Sequence, residues 1–189
     1  MADIAYLNNF ETKLEEELLS LCTEYKMLDC VLLSTDDIND HWKTLAPEFM
    51  ADAVKEVADY PEAAVAWAAY LGMAVAKGWD TDWGACLKKP YRNYYGHNKF
   101  DDMDEQIVKH ELGLALDSKE ALQIEEMLRR CADKTISLIR FEQIEPQSVM
   151  AFHVFARSVK AMFRIGAALQ LFRMGYKFEK VRVSDLPQA

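Results

Sequence analysis

Seven glycines and five prolines are few for 189 residues, because average usage of these two is roughly 7% and 5%. Their scarcity excludes collagen-like and low-complexity chains and leaves long stretches free to continue as regular structure. Long apolar runs are also missing. The longest uncharged run, Ala63 to Ala76, spans 14 residues, short of the roughly 20 that a bilayer-spanning helix needs. The N-terminus, MADIAYLNNFETKLEEELL, has neither the basic region nor the apolar core of a secretory signal. Basic excess is absent as well: 22 Lys and Arg face 31 Asp and Glu, for a net charge of -9. Such a chain is a poor general binder of nucleic acid or anionic membrane, so neither is expected as a partner. The cysteines are Cys22, Cys30, Cys86 and Cys131, with no pair at a zinc-ligand spacing. With no secretory signal, reduced thiols and a cytoplasmic location are the expectation.

Familiar catalytic spacings are missing too. Ile38, Tyr94, Ile107 and Met150 lie three positions before His41, His97, His110 and His153. No Glu-x-x-His of a di-metal bundle exists, no His-x-x-x-His and no His-Asp dipeptide. There is no glycine-rich phosphate loop and no G-x-S-x-G. No cofactor, metal site or catalytic residue is therefore expected, and the chain leans away from enzyme chemistry.

What is present is apolar periodicity: 51% of the residues are hydrophobic. Leu7, Leu14, Leu18, Leu21, Tyr25, Leu28 and Leu32 recur at helical spacing, and Asn8 and Glu11 have the spacing of a capping box. Together they predict an amphipathic helix over 8–33. A short helix with Ile38, Trp42 and Leu45 follows, and Pro47 fits the first turn of another. Pro61 opens a segment apolar on every side up to Lys77, which predicts a helix surrounded by protein. Asp102 with Glu105, and Asp117 with Glu120, mark further helix starts. The second of these helices runs to about residue 143. Pro146 opens a last helix to about Met174, apolar around most of its circumference. Residues 175–189 read as an extended tail, whose alternation over Tyr176, Phe178, Val181 and Val183 also permits a short strand. The prediction is an all-α, single-domain bundle over 1–189, of six or seven helices with two largely buried central ones. The order in which they pack is not derivable from the sequence.

Two features stand out as candidate sites. His153, Arg157, Lys160 and Arg164 are spaced 4, 3 and 4 along the last helix and share one face. Such a stripe lines an anion-binding cleft, or it is a solvated or acid-paired edge, which is the commoner case. Residues 80–100 form a long connection rich in aromatics, among them Trp83, Tyr91, Tyr94 and Tyr95. It serves as a lid or partner surface, or it pins itself to the bundle by burying its rings. His110 shares a helical face with Met103 and Ile107, the usual place of a core or border histidine. The acidic cluster Asp101, Asp102, Asp104 and Glu105 fits the first turn of a helix.

The expected function is a non-enzymatic module that binds a protein partner or self-associates, for example as a homodimer. The alternative is a small anionic-ligand site formed by His153, Arg157, Lys160 and Arg164 with Tyr94 and Tyr95 closing over it. Charge divides unevenly. Residues 1–145 carry 15 basic and 29 acidic residues, whereas 146–189 carry 7 and 2. Internal pairing of the stripe with the acidic region is thus its first explanation.

Overall fold

The structure, a computed structural model, describes residues 3–178. It is all-α: α1 (Ile4–Glu24), α2 (Asp36–Glu56), α3 (Pro61–Lys88), a four-residue α4 (Met103–Gln106), α5 (Lys119–Phe141) and α6 (Val149–Arg173). These form a single-domain bundle around one hydrophobic core. No helix among the described residues is long and apolar enough to cross a membrane. The proposed tail strand over 176–183 falls mostly outside the described residues. Of it, Tyr176 packs edge-on against Trp79 and donates a hydrogen bond to Asp80 at 2.7 Å.

The two apolar helices are central, as their sequences require. Ala64 to Ala76 of α3 are nearly all buried, and so is nearly every residue of α6 from Ser158 to Leu171. Fully burying side chains such as Phe163 or Leu71 stabilises the fold by about 1.5–3 kcal/mol each. The two helices run parallel and touch backbone to backbone. A methyl group at Gly166 would overlap the Ala69 carbonyl, and one at Gly72 would overlap the Phe163 carbonyl. Alanines along α3 extend this close approach. Helix α1 lies parallel to α6, and α5 lies antiparallel to α1, where Cys22 and Cys131 meet in the core at 3.6 Å. Helix α2 folds back on α3. The start of α1, α3 and α6 and the finish of α2 and α5 therefore share one end of the bundle.

Several helix bounds differ from the sequence reading, each for an identifiable reason. Helix α1 begins at Ile4, capped by Asp3, whose carboxylate accepts from Tyr6 N at 3.1 Å. Leu7 is buried, so the helix has to start before it, and Asn8 lies inside rather than at the cap. The helix also ends at Glu24 and not near 33, because the chain turns with positive φ at Lys26 and Cys30. The two short helices expected around Pro47 are one. Helix α2 runs through this proline because Ile38, His41, Trp42, Leu45, Phe49 and Ala53 form one buried face. Burial of that face outweighs the roughly 3 kcal/mol an interior proline costs. Ser118, not Asp117, caps α5, and Ser148 caps α6. Asp102 makes no side-chain cap; it accepts instead from Asn98 N and Nδ2, both at 2.9 Å.

The connection over 80–100 is largely ordered into helix and turn. Helix α3 continues to Lys88 across one non-helical residue, Asp82. Asp82 accepts from Ala85 N at 2.9 Å and so caps the second segment, while Thr81 donates to Lys77 O at 2.9 Å and closes the first. After α4, residues Ile107–Glu111 wind as a π-helix. The extra residue per turn carries His110 out to solvent, so it is not a core histidine. Gly113, with φ of 68°, ends this segment.

The glycine contact gives a direct test. Gly166→Ala should cost about 1–3 kcal/mol in urea denaturation, because the atom it strikes is backbone. Gly84→Ala, whose new methyl meets only Asp82 Oδ1 at 3.5 Å, should be neutral or stabilising by up to about 1 kcal/mol.

Candidate functional site

The basic stripe faces α1. Arg157 and Lys160 both hold Glu11, the lysine at 2.5 Å, and Arg164 holds Glu15. Glu11 is buried, and burial alone would push its carboxyl up. The hydrogen bonds and charges of Lys160 and Arg157 more than reverse that, leaving its pKa below the ordinary value. Glu15 has one cation partner, and there burial wins, so its pKa is raised. An anionic ligand at this stripe would have to displace two carboxylates of the chain itself. His153 stands apart from these pairs, its ring edge-on to Phe152 at 5.9 Å. The three cations thus share a face, as their spacing requires, and the acidic face opposite them comes from α1.

The aromatic connection is spent on packing. Tyr91, Tyr94 and Phe100 are buried, and Phe100 packs edge-on against Phe49 at 5.5 Å. Tyr91 and Tyr95 both donate hydrogen bonds to Asp52 of α2. Tyr94 lies in a cleft of about 280 Å³ at the break in α3, lined by Lys77, Asp82, Cys86, Lys89 and Glu111. Lys89 and Glu111 pair across it, and the Lys89 ammonium sits 4.4 Å from the Tyr94 ring centre. Burial pushes the Cys86 thiol up, away from a reactive thiolate. This cleft contains no member of the basic stripe. The cleft at Lys160 and Arg164 is lined by Asn39, Asp40, Trp42 and Lys43 and contains neither tyrosine. The structure therefore does not bring Tyr94 and Tyr95 to the stripe.

What the sequence reading missed is an apolar end. Five large apolar side chains stand out as exposed: Phe141 (74%), Val149 (72%), Ile4 (66%), Tyr60 (66%) and Phe178 (64%). The first four lie at the end where α1, α3 and α6 begin. Contacts between elements tie this end together: Tyr6 donates to Glu142 at 2.6 Å, Lys13 lies 5.4 Å over the Phe141 ring, and Arg140 reaches Glu62 at 3.8 Å. Phe152, one turn beyond Val149, adds a further exposed ring. Phe141, Val149 and Phe152 flank the single α5–α6 turn, whereas Ile4 and Tyr60 come from distant helix ends, so no one sequence window contains the whole patch. The only signal was local: apolar residues at Ile4, Phe141 and Val149 just inside helix ends. Among the described residues no group of three or more His, Cys, Asp or Glu is placed to hold a metal ion.

Two titrations follow. Glu11→Gln leaves Arg157 and Lys160 without their anion and should cost about 1.5–3 kcal/mol at neutral pH. Because the native pKa of Glu11 is depressed, its contribution is complete above pH 4.5 and fades as pH falls through the native value, so the mutant and wild type should converge in acid. His41 is buried against the edge of Trp83, its Nε2 without a partner, and burial lowers its pKa from 6.5. Its neutral ring is the folded form, so this contribution is present above pH 6.5 and is lost as pH falls further. Asp104, raised to about 6 by burial, acts with the opposite sign. The readout is therefore the difference in urea midpoint between wild type and His41→Asn, which should shrink from pH 7.5 to 5.5. No protein-family model, no curated protein and no solved structure matches the chain, so function rests on these surfaces alone.

Proposed function

We propose that the chain is a protein-interaction module that contacts a partner through the apolar end formed by Ile4, Tyr60, Phe141, Val149 and Phe152. The observation that carries this reading is that the four most exposed large apolar side chains among the described residues, Phe141, Val149, Ile4 and Tyr60, gather at one end of the bundle. Scattered exposed apolar residues are ordinary, whereas a cluster rimmed by polar groups is typical of a contact surface. The rim is acidic. Of its acidic side chains Asp59, Glu62, Glu142 and Glu145, Glu62 pairs with Arg140 and Glu142 with Lys13, and Lys55 pairs with Asp52, so Asp59 and Glu145 remain as the acidic excess among the described residues. Like-charged rims disfavour pairing of two copies end to end, and they favour a partner with basic side chains around an apolar patch.

A photo-cross-linking residue at position 141 should capture one basic protein in cells, with a control probe at Glu125 on the outer face of α5 giving no such adduct. With the probe kept at position 141, Ile4→Asp combined with Val149→Asp, both strongly exposed, should abolish capture while changing stability by no more than about 0.5 kcal/mol per site. No adduct, or the same adducts from both probe positions, would refute the reading. A dimer of this chain in light scattering that the double variant dissolves would replace the hetero-partner with self-association.

A further inference from the structure

Beside the apolar end, between the α2–α3 turn and the short helical turn Phe100–Asp102, lies a cleft of about 300 Å³. Its walls are Glu56, Tyr60, Ala63, Trp67, Phe100 and Asp101. Three are aromatic, two are carboxylates, and no basic side chain lines it. The Trp67 indole is fixed in place: its Nε1–H donates to the Phe100 carbonyl at 2.6 Å, and its ring meets Tyr70 edge-on at 5.9 Å. Phe100 is held from behind by Phe49. The cage is thus built on rigid supports, with only Tyr60 on its open side.

Among the described residues, neither Glu56 nor Asp101 has an ion-pair partner, whereas other clefts contain an internal ion pair: Lys89–Glu111, Arg130–Glu126, Arg173–Glu120 and Lys43–Asp40. Elsewhere the chain also supplies cations to its rings: Lys13 lies over Phe141, Lys89 over Tyr94 and Arg130 over Tyr25. Here rings and carboxylates converge and the chain provides no cation. Aromatic faces attract an organic cation through their quadrupole, more strongly when water is excluded, and the carboxylates add charge complementarity. An ammonium carrying alkyl groups satisfies both, because its methyl or methylene surface packs on the rings while its charge faces Glu56 and Asp101.

We propose that this cleft binds a substituted ammonium group, carried by a small molecule or by a lysine-type side chain. A volume near 300 Å³ is at the lower end for small-ligand sites and suits such a headgroup. A free ammonium ion needs no protein partner, so failure of cross-linking at Phe141 leaves this site standing.

The test is a titration of the intact chain with choline, followed by the NMR signal of the Trp67 indole N–H, identified with Trp67→Phe. Choline should shift this signal saturably. Its neutral isostere 3,3-dimethylbutan-1-ol should bind at least tenfold more weakly. Glu56→Gln with Asp101→Asn, both on the surface of the cleft, should weaken choline at least fivefold without changing the melting temperature. Peptides with lysine or trimethyl-lysine form a second arm: tighter binding than choline assigns the group to a protein side chain, and weaker binding assigns it to a small molecule. No saturable shift with choline or with either peptide overturns the site, as does equal binding of the neutral isostere.

Discussion

Everything in this bundle is arranged around the contact of α3 with α6. Two helices whose surfaces are apolar on all sides have to be enclosed, and the least wasteful enclosure is to put them against each other first. Gly72 and Gly166 remove the side chains that would hold them apart, and the surrounding alanines let the backbones stay close. Close approach then leaves only the outer faces of the pair to be covered. Helix α1 covers α6, α2 covers α3, and α5 closes the remaining side, so one buried contact sets where all the amphipathic helices lie.

That enclosure also settles the fate of the polar groups on α6. A helix central to the core carries Arg157, Lys160 and Arg164, which are costly to bury without anions. Helix α1 supplies Glu11 and Glu15 at the matching positions. Some of the acidic excess of the first 145 residues thus faces some of the basic excess of the remainder across a single interface. Internal neutralisation makes the stripe a poor starting point for function and draws attention to places where neutralisation fails. The cleft at Trp67 is such a place, with two carboxylates and no cation, and it adjoins the end where apolar side chains remain uncovered.

Much of the fold was legible because burial leaves a period in the sequence. The apolar stretch from Ala63 to Ala76 and the string from Val154 to Phe172 announced the central helices, and the stripe of leucines announced α1. Punctuation was less reliable. Asn8 and Asp117 have cap-like spacing yet lose to Asp3 and Ser118, because a helix starts where its buried face starts and many side chains can serve as caps, while Asp102 does stand at the start of α4 but without a side-chain cap bond. Pro47 fails as the opening of a new helix for the same reason: the buried face that runs through it is worth more than one lost hydrogen bond. The aromatic connection was recognised as ordered by its rings, and the structure buries Tyr91, Tyr94 and Phe100.

The sequence by itself determined the class of the fold, the identity of the two central helices and the shared face of Arg157, Lys160 and Arg164. These depend on the 3.6-residue period, which operates within one helix. Only the tertiary structure decided that the stripe meets Glu11 and Glu15, that Tyr94 and Tyr95 stay away from it, and that Ile4, Tyr60, Phe141 and Val149 gather at one end. It also decided that Glu56, Trp67 and Asp101 share a cleft. Each of these joins residues from different helices, and which helices become neighbours depends on the packing of α3 against α6, a three-dimensional choice that no local period records.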